Sequence, residues 1–257
     1  MLPIAGAIKN GEKDFYGKAM NLKGKNVLLI GFSEQEAQMY VDKYDPACIT
    51  MLTKWDDHVD AEIKKYQLFI GDICKKTHFE DNYFDAVLTL SVSEHLDDLG
   101  AATKEILRIT KNGGNILHFF GPAWSCAYGH HLFRNPDDSL QNFSLWSMPA
   151  HMHLLCTHEE IRKFYLEQGY SEETVRSVLH WFDETPIINR LFFDDYIRIF
   201  NNYQMLLDSS ELMYNILPVS HLKLLQSRFP GKHDFSTYGA KMNFIVNKSE
   251  LIIGSSA

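Results

Sequence analysis

Five short apolar runs, KNVLLIG (25–31), ACITML (47–52), YQLFIG (66–71), FDAVLTL (84–90) and NILHFFG (115–121), punctuate the first half of the chain, with helix-length amphipathic stretches among them. Most of these runs are apolar throughout, the pattern of a strand covered on both faces. Strands of that kind alternating with helices call for a parallel, doubly wound α/β sheet. Residues 33–44 open with a capping box, Ser33 followed three positions on by Glu36, and carry Ala37, Tyr40, Val41 and Tyr44 on one face. Leu99, Ala102, Ile106 and Ile109 line a second helix, which Asn112, Gly113 and Gly114 are expected to end by tolerating positive φ.

After Gly121 the pattern breaks. Residues 122–157 are rich in Pro, Trp, His, Ser and Asn without a sustained period, and a stretch of this size in a compact protein is commonly functional. Helices are expected again over 157–169, with Thr157 and Glu160 as a capping box, over 171–182, and over 186–207 with Pro186 as first residue. HLKLLQSRF (221–229) adds another, and KMNFIVNK (241–248) alternates like an antiparallel strand. The implied organisation is a single domain spanning 1–257: a core over 25–121, an insertion and helical cap over 122–235, and a segment over 236–257 that completes the sheet. Phe192, Phe193, Tyr196 and Phe200 give the cap an apolar face, read chiefly as core packing and otherwise as a dimer interface.

Charge narrows the partners. Lys plus Arg at 25 against Asp plus Glu at 33 leaves a formal net charge of −8, with no basic stripe, which argues against nucleic acid and for a small molecule. No apolar run approaches the roughly 20 residues of a membrane-spanning helix, and MLPIAGAIKNGEKD lacks the basic start and long apolar run of a signal peptide, so a cytoplasmic protein is expected. Cys48, Cys74, Cys126 and Cys156 form no CxxC pair and read as reduced, mostly structural thiols.

In an open α/β sheet the ligand sits at the carboxyl ends of the strands. The first strand ends in GFSEQEAQ, with one glycine where a dinucleotide loop has three, and Glu34 and Glu36 compete for the positive helix end that would hold a pyrophosphate. NAD and FAD are disfavoured, and no Tyr-x-x-x-Lys pair follows the fourth strand. A cofactor with a cationic centre suffers less from those carboxylates.

The stretch IGDICKKTHFEDNYFDAVLTLSVSEHLDDLGAATKEILRITKNGGNILHFFGP resembles the heart of a class I S-adenosylmethionine-dependent methyltransferase: Asp72 after the third strand, DNYFDAV (81–87) into the fourth, SEHL (93–96) after it, then a helix, KNGG and the fifth strand. The resemblance covers roughly residues 25–121 and implies a seven-stranded, mostly parallel sheet with its last strand antiparallel. It also implies S-adenosylmethionine as cofactor: Gly31, Phe32 and Ser33 flank its methionine part, Asp72 and Ile73 hold the adenine, and Ser91 lies near the sulfonium. The acid that grips the ribose in that family stands here as Thr53, with Asp56 and Asp57 shortly after, and the glycine-rich loop is reduced to GFSE.

PAWSCAYGHHLF (122–133) and SLWSMPAHMHLLCTHEE (144–160) resemble a smaller group of these enzymes found with bacterial surface-polysaccharide biosynthesis, which implies a sugar-like acceptor. Five of the twelve histidines, 130, 131, 151, 153 and 158, crowd this segment; His130, His131 and His153 are the candidates for base or electrostatic help, and Trp124, Trp146 and Tyr128 for stacking on the acceptor. The bland alternative is that the histidines hold loop backbone. His151, His153, Cys156 and His158 mimic a zinc site but come from one short segment entering a helix, and Asp137 and Asp138 read as a solvated turn, so no metal is expected. The expected function is O-methylation of a small polar acceptor, a sugar, nucleotide-activated sugar or phosphoryl-type group. The alternative is a catalytically silent methyltransferase-fold subunit that partners an active homologue, and a homodimer or such a heterodimer is the expected assembly.

Overall fold

The computed structural model describes residues 20–54, 66–132, 148–184, 186 and 188–248. Seven strands form one sheet: β1 (Asn26–Ile30), β2 (Cys48–Thr53), β3 (Tyr66–Ile70), β4 (Phe84–Leu90), β5 (Thr110–Phe120), β6 (Met205–Tyr214) and β7 (Thr237–Val246). Their spatial order is β3-β2-β1-β4-β5-β7-β6, and β7 runs antiparallel to both of its neighbours while β1 to β5 are mutually parallel. The helices are α1 (Glu34–Tyr44), α2 (Leu99–Ile109), α3 (Met152–Leu155), α4 (His158–Glu167), α5 (Glu172–Glu184), α6 (Phe193–Phe200) and α7 (Val219–Arg228). The doubly wound α/β fold and its antiparallel last strand are as the sequence implies.

Alternate residues of each strand feed two cores, as side chains on a strand must. Val27, Leu29, Ile49, Met51, Ala86 and Leu88 pack with Ala37, Tyr40 and Val41 of α1. Leu28, Ile30, Val87 and Ile116 pack on the other face with Leu99, Ala102 and Ile106 of α2 and with Phe193, Tyr196 and Phe200 of α6. The capping box of α1 is present, Ser33 N–H donating to Glu36 (2.7 Å) and Glu36 N–H to Ser33 Oγ (3.4 Å), and Thr157 and Glu160 repeat it on α4. Outside the sheet, α4 and α5 close over Leu132, Met148 and Met152, and α7 closes over Leu154, Phe192 and Phe235.

Three expectations are corrected. Where a helix was expected over 186–207, the described residues 186 and 188–192 are not helical, the eight-residue α6 follows, and a turn over 201–204 leads into β6. Asp195 accepts the Phe192 N–H at 3.1 Å and starts α6 there, so Pro186 opens nothing. Second, α2 stops at Ile109, before Asn112, Gly113 and Gly114: Thr110 is already extended, its hydroxyl donating to Ile106 O at 2.6 Å. Gly113, at φ +74°, serves instead the irregularity where the β4–β5 register slips between Phe84 and Ala86. Third, the 122–235 segment does not stay outside the sheet, because β6 lies within it and pairs with β7 along its length.

Candidate functional site

With the order β2-β1-β4-β5, the sheet reverses direction of winding between β1 and β4, and the carboxyl ends of these two strands form the crevice in which such folds take ligands. Gly31 leaves β1 at φ +81°, and a Cβ there would run into the Val92 side chain and the Leu90 carbonyl. Only glycine lets the chain leave β1 this close to β4. Ser91 leaves β4 at φ +50° and is exposed, its N–H tied to Phe119 O at 2.9 Å. These two residues therefore lie at the mouth of the crevice.

The other residues expected at the cofactor take varied places. Phe32 is buried, edge-on to Tyr40 at 5.7 Å, so it offers backbone only. The Ser33 hydroxyl is engaged as the cap of α1. Thr53 is the last residue of β2 and half-buried, with Lys54 beside it; Lys54 Nζ lies 2.9 Å from Asp97 and 3.7 Å from Asp72. Asp72, half-buried, accepts the Cys74 N–H at 3.0 Å, and Ile73 is buried. Asp72 thus carries a carboxylate at the end of β3 with a cation next to it. Asp56, Asp57, Asp137, Asp138 and Trp146 lie outside the described residues.

The histidine cluster divides. His130 and His153 face each other at 5.2 Å between ring centroids, and His153 meets Trp124 edge-on at 4.8 Å. His130 Nδ1 accepts the Leu132 N–H at 3.0 Å, while His153 Nε2 donates to Trp124 O at 2.9 Å, leaving His153 Nδ1 buried and without a hydrogen bond. His151 is bonded to Phe235 O (3.1 Å) and faces His221, and His158 is exposed beside Asp183. The Trp124 ring is covered by Arg190, 5.7 Å from its centroid.

His131 belongs elsewhere. Its Nδ1 lies 2.7 Å from Gly129 O; a carbonyl can only accept, so the proton sits on Nδ1 and Nε2 keeps its lone pair. Its ring meets that of His95 at 5.3 Å. Burial pushes His131 and His153 down to about 3 and His130 well down, so all three are neutral near pH 7. Gly129 is required in the turn that delivers His130 and His131, since a Cβ there would strike the Ala123 and Trp124 carbonyls.

Glu94 and His95 are the residues to which sequence reasoning assigned no role. They lie in a single 3-10 turn, Ser93–His95, just past β4. Glu94 is buried; one carboxylate oxygen accepts the Gly121 N–H at 3.1 Å and the other has no hydrogen bond. Burial pushes this carboxyl up, against the pull of His95. Asn189 clamps the turn, donating from Nδ2 to Ser93 O (2.7 Å) and from its backbone to Glu94 O (3.0 Å), and accepts the Tyr196 hydroxyl at 3.1 Å. Behind it, His118 Nδ1 lies 3.0 Å from Thr89 Oγ1 and 3.2 Å from Ser93 Oγ, the ring stacked on Phe200 at 4.7 Å. The signal in sequence was an acid and an imidazole side by side, Glu94 and His95, a few residues past the fourth apolar run.

Residues 32–118 match the family described as methyltransferase domain. No curated protein matches the chain. Three solved structures share the fold: an S-adenosylmethionine dependent methyltransferase, so described, from Listeria monocytogenes (TM-score 0.56, 10% identity, 93% of this chain and 100% of that one), another from Mesorhizobium loti (0.54, 8%, 92% and 99%) and the YcgJ protein of Bacillus subtilis (0.53, 11%, 93% and 98%). At such identities the likeness is one of fold, while the matched segment carries the chemistry. Among the described residues no helix is long and apolar enough to cross a membrane, and all four cysteines are free. Residues 32–118 match a methyltransferase domain, and that match supports S-adenosylmethionine as the cofactor.

Proposed function

We propose that this enzyme methylates an oxygen of a small polar acceptor, sugar-like or a phosphoryl-type group, of the kind handled in polysaccharide assembly. The observation that carries the reading is the meeting of His131, delivered by the turn after β5, with His95 in the turn after β4, at 5.3 Å between ring centroids. Those turns flank the crevice at which Gly31 and Ser91 sit, the side from which an acceptor must approach. Bound S-adenosylmethionine supplies a methyl on sulfonium: the new O–C bond forms as the C–S pair returns to sulfur, and the hydroxyl proton leaves to a base.

The protein's part is orientation and a place for that proton. His131 Nε2, a lone pair on a neutral ring fixed by Gly129, is our candidate to receive it. His130 and His153 hold the turn through Leu132 and Trp124 and shape the acceptor side. Gly31, the Phe32 backbone, Ser33, Thr53, Asp72, Ile73 and Ser91 are proposed to line the cofactor. Tyr128, half-buried, remains the aromatic offered to a sugar face.

The test is a methyl-transfer assay with isotopically labelled S-adenosylmethionine against free sugars, nucleotide sugars and sugar phosphates, with S-adenosylhomocysteine binding measured in parallel. Label on an acceptor oxygen supports the reading. Cofactor binding with no transfer to any acceptor, restored by a second methyltransferase, would favour the silent-subunit alternative instead.

A further inference from the structure

We propose that Glu94, His95 and His131 form a binding site for one divalent transition-metal ion of the zinc class. One ligand atom from each lies within 4.8 Å of the other two, and Glu94 and His131 are buried. Around an ion bound at about 2.1 Å, ligand atoms stand roughly 3.4 Å apart, so side-chain adjustments of about an ångström close the trio. Two imidazoles and one carboxylate suit zinc, iron, cobalt or nickel and not magnesium or calcium, which take oxygen sets.

Three features point the trio at a ligand. Glu94 keeps one carboxylate oxygen without a hydrogen bond in a fully buried position, which a cation would satisfy. His131 is held by its Nδ1 proton on Gly129 O, so that Nε2 presents a lone pair; this is how an outer hydrogen bond fixes a metal-ligating imidazole. The turn carrying Glu94 and His95 is itself clamped by Asn189 at both Ser93 O and Glu94 O. The two halves of the site therefore come from separate, braced backbone turns.

Three protein ligands leave at least one coordination position open, the arrangement of a working site and not of a closed structural one. With an ion bound, His131 Nε2 is a ligand and no longer takes the proton; the ion would take over that part of the reading proposed above by holding the acceptor oxygen and easing loss of its proton to solvent, whereas the existence of the site does not rest on that reading.

The experiment uses untagged full-length protein, stripped with chelator, then titrated with Co²⁺ followed by visible absorption and with Zn²⁺ by calorimetry. Wild type is expected to bind one equivalent and to develop d–d bands. His131→Ala and His95→Gln should each weaken binding at least about 100-fold, and His158→Ala, exposed and outside the trio, should leave it unchanged. His95 is only half-buried, so His95→Gln carries the test should His131→Ala fail to fold. Absence of d–d bands, or equal affinity in wild type and His95→Gln, would overturn the metal site. S-adenosylhomocysteine binding and methyl transfer on the same samples separate the two ideas: transfer by a protein that binds no metal sinks the metal alone, and metal binding without transfer sinks the acceptor reading alone.

Discussion

Arg108 and Glu105, one turn apart on α2, meet through two hydrogen bonds, Nε to Oε2 at 2.8 Å and Nη2 to Oε1 at 2.6 Å, and Glu105 Oε1 also takes the Thr77 N–H at 2.7 Å and hydroxyl at 2.6 Å. The carboxylate thus fastens the loop after β3 to the helix that packs beneath β4. Burial alone would raise the Glu105 carboxyl, but these donors hold it below its usual value. A depressed carboxylate stabilises the fold above its unfolded value, about 4.3, and that contribution fades as the pH falls through the folded value. Glu105→Gln should cost about 2 kcal/mol in urea unfolding at pH 7, with the gap from wild type closing below about pH 4.

Gly31→Ala introduces a Cβ at φ +81° against the Leu90 carbonyl and Val92. A loss of about 2 to 4 kcal/mol is expected, together with weaker cofactor binding, because the clash lies where β1 and β4 open the crevice. Calorimetric melting and an S-adenosylhomocysteine titration of the same variant read the two effects.

Asp72→Ala should raise the dissociation constant for S-adenosylhomocysteine by roughly tenfold to a hundredfold, the worth of a hydrogen bond to a charged group. Its link to Lys54, 3.7 Å long and with the lysine 47% exposed, adds little stability, so the melting point should move by no more than a few degrees. A large melting shift with unchanged affinity would assign Asp72 to the fold instead.

His153→Ala and His131→Ala are expected to differ. His153 donates to Trp124 O from between two cap clusters, and its loss should lower stability by about 2 kcal/mol with transfer falling in step with the folded fraction. His131→Ala should abolish transfer at unchanged S-adenosylhomocysteine affinity. Rates normalised to folded protein distinguish a positioning role from a reacting one.

The parallel core was legible because β1, β2, β4 and the second half of β5 are buried on both faces and carry their identity locally, while β3, an edge strand only partly covered, was still marked by its apolar run; capping by Ser33 and Thr157 was equally local. β6 was not. Its residues are mostly exposed, with polar Asp208, Ser209 and Ser210 at its centre, and it is a strand only because β7 offers it a ladder. The misplaced end of α2 has a similar origin: Lys248, distant in sequence, donates to Arg108 O and Thr110 O at 3.2 and 2.6 Å and completes the helix end that Asn112 to Gly114 looked suited to make. At the site, the histidines were visible as a cluster but not their sorting. Which of them meets Glu94 depends on the turn after β5 folding back over the turn after β4, a relation between separate strand ends that no local period encodes.

Synthesis order and spatial order disagree in this sheet. β7, the last strand to leave the ribosome among those described, lies between β5 and β6. Until Val246 has emerged, β5 presents a bare edge and β6 has no ladder, while every helix from α3 to α7 has already been made. The nascent chain thus carries a bare β5 edge, open to pairing with other chains, until β7 inserts between β5 and β6 and seals the sheet.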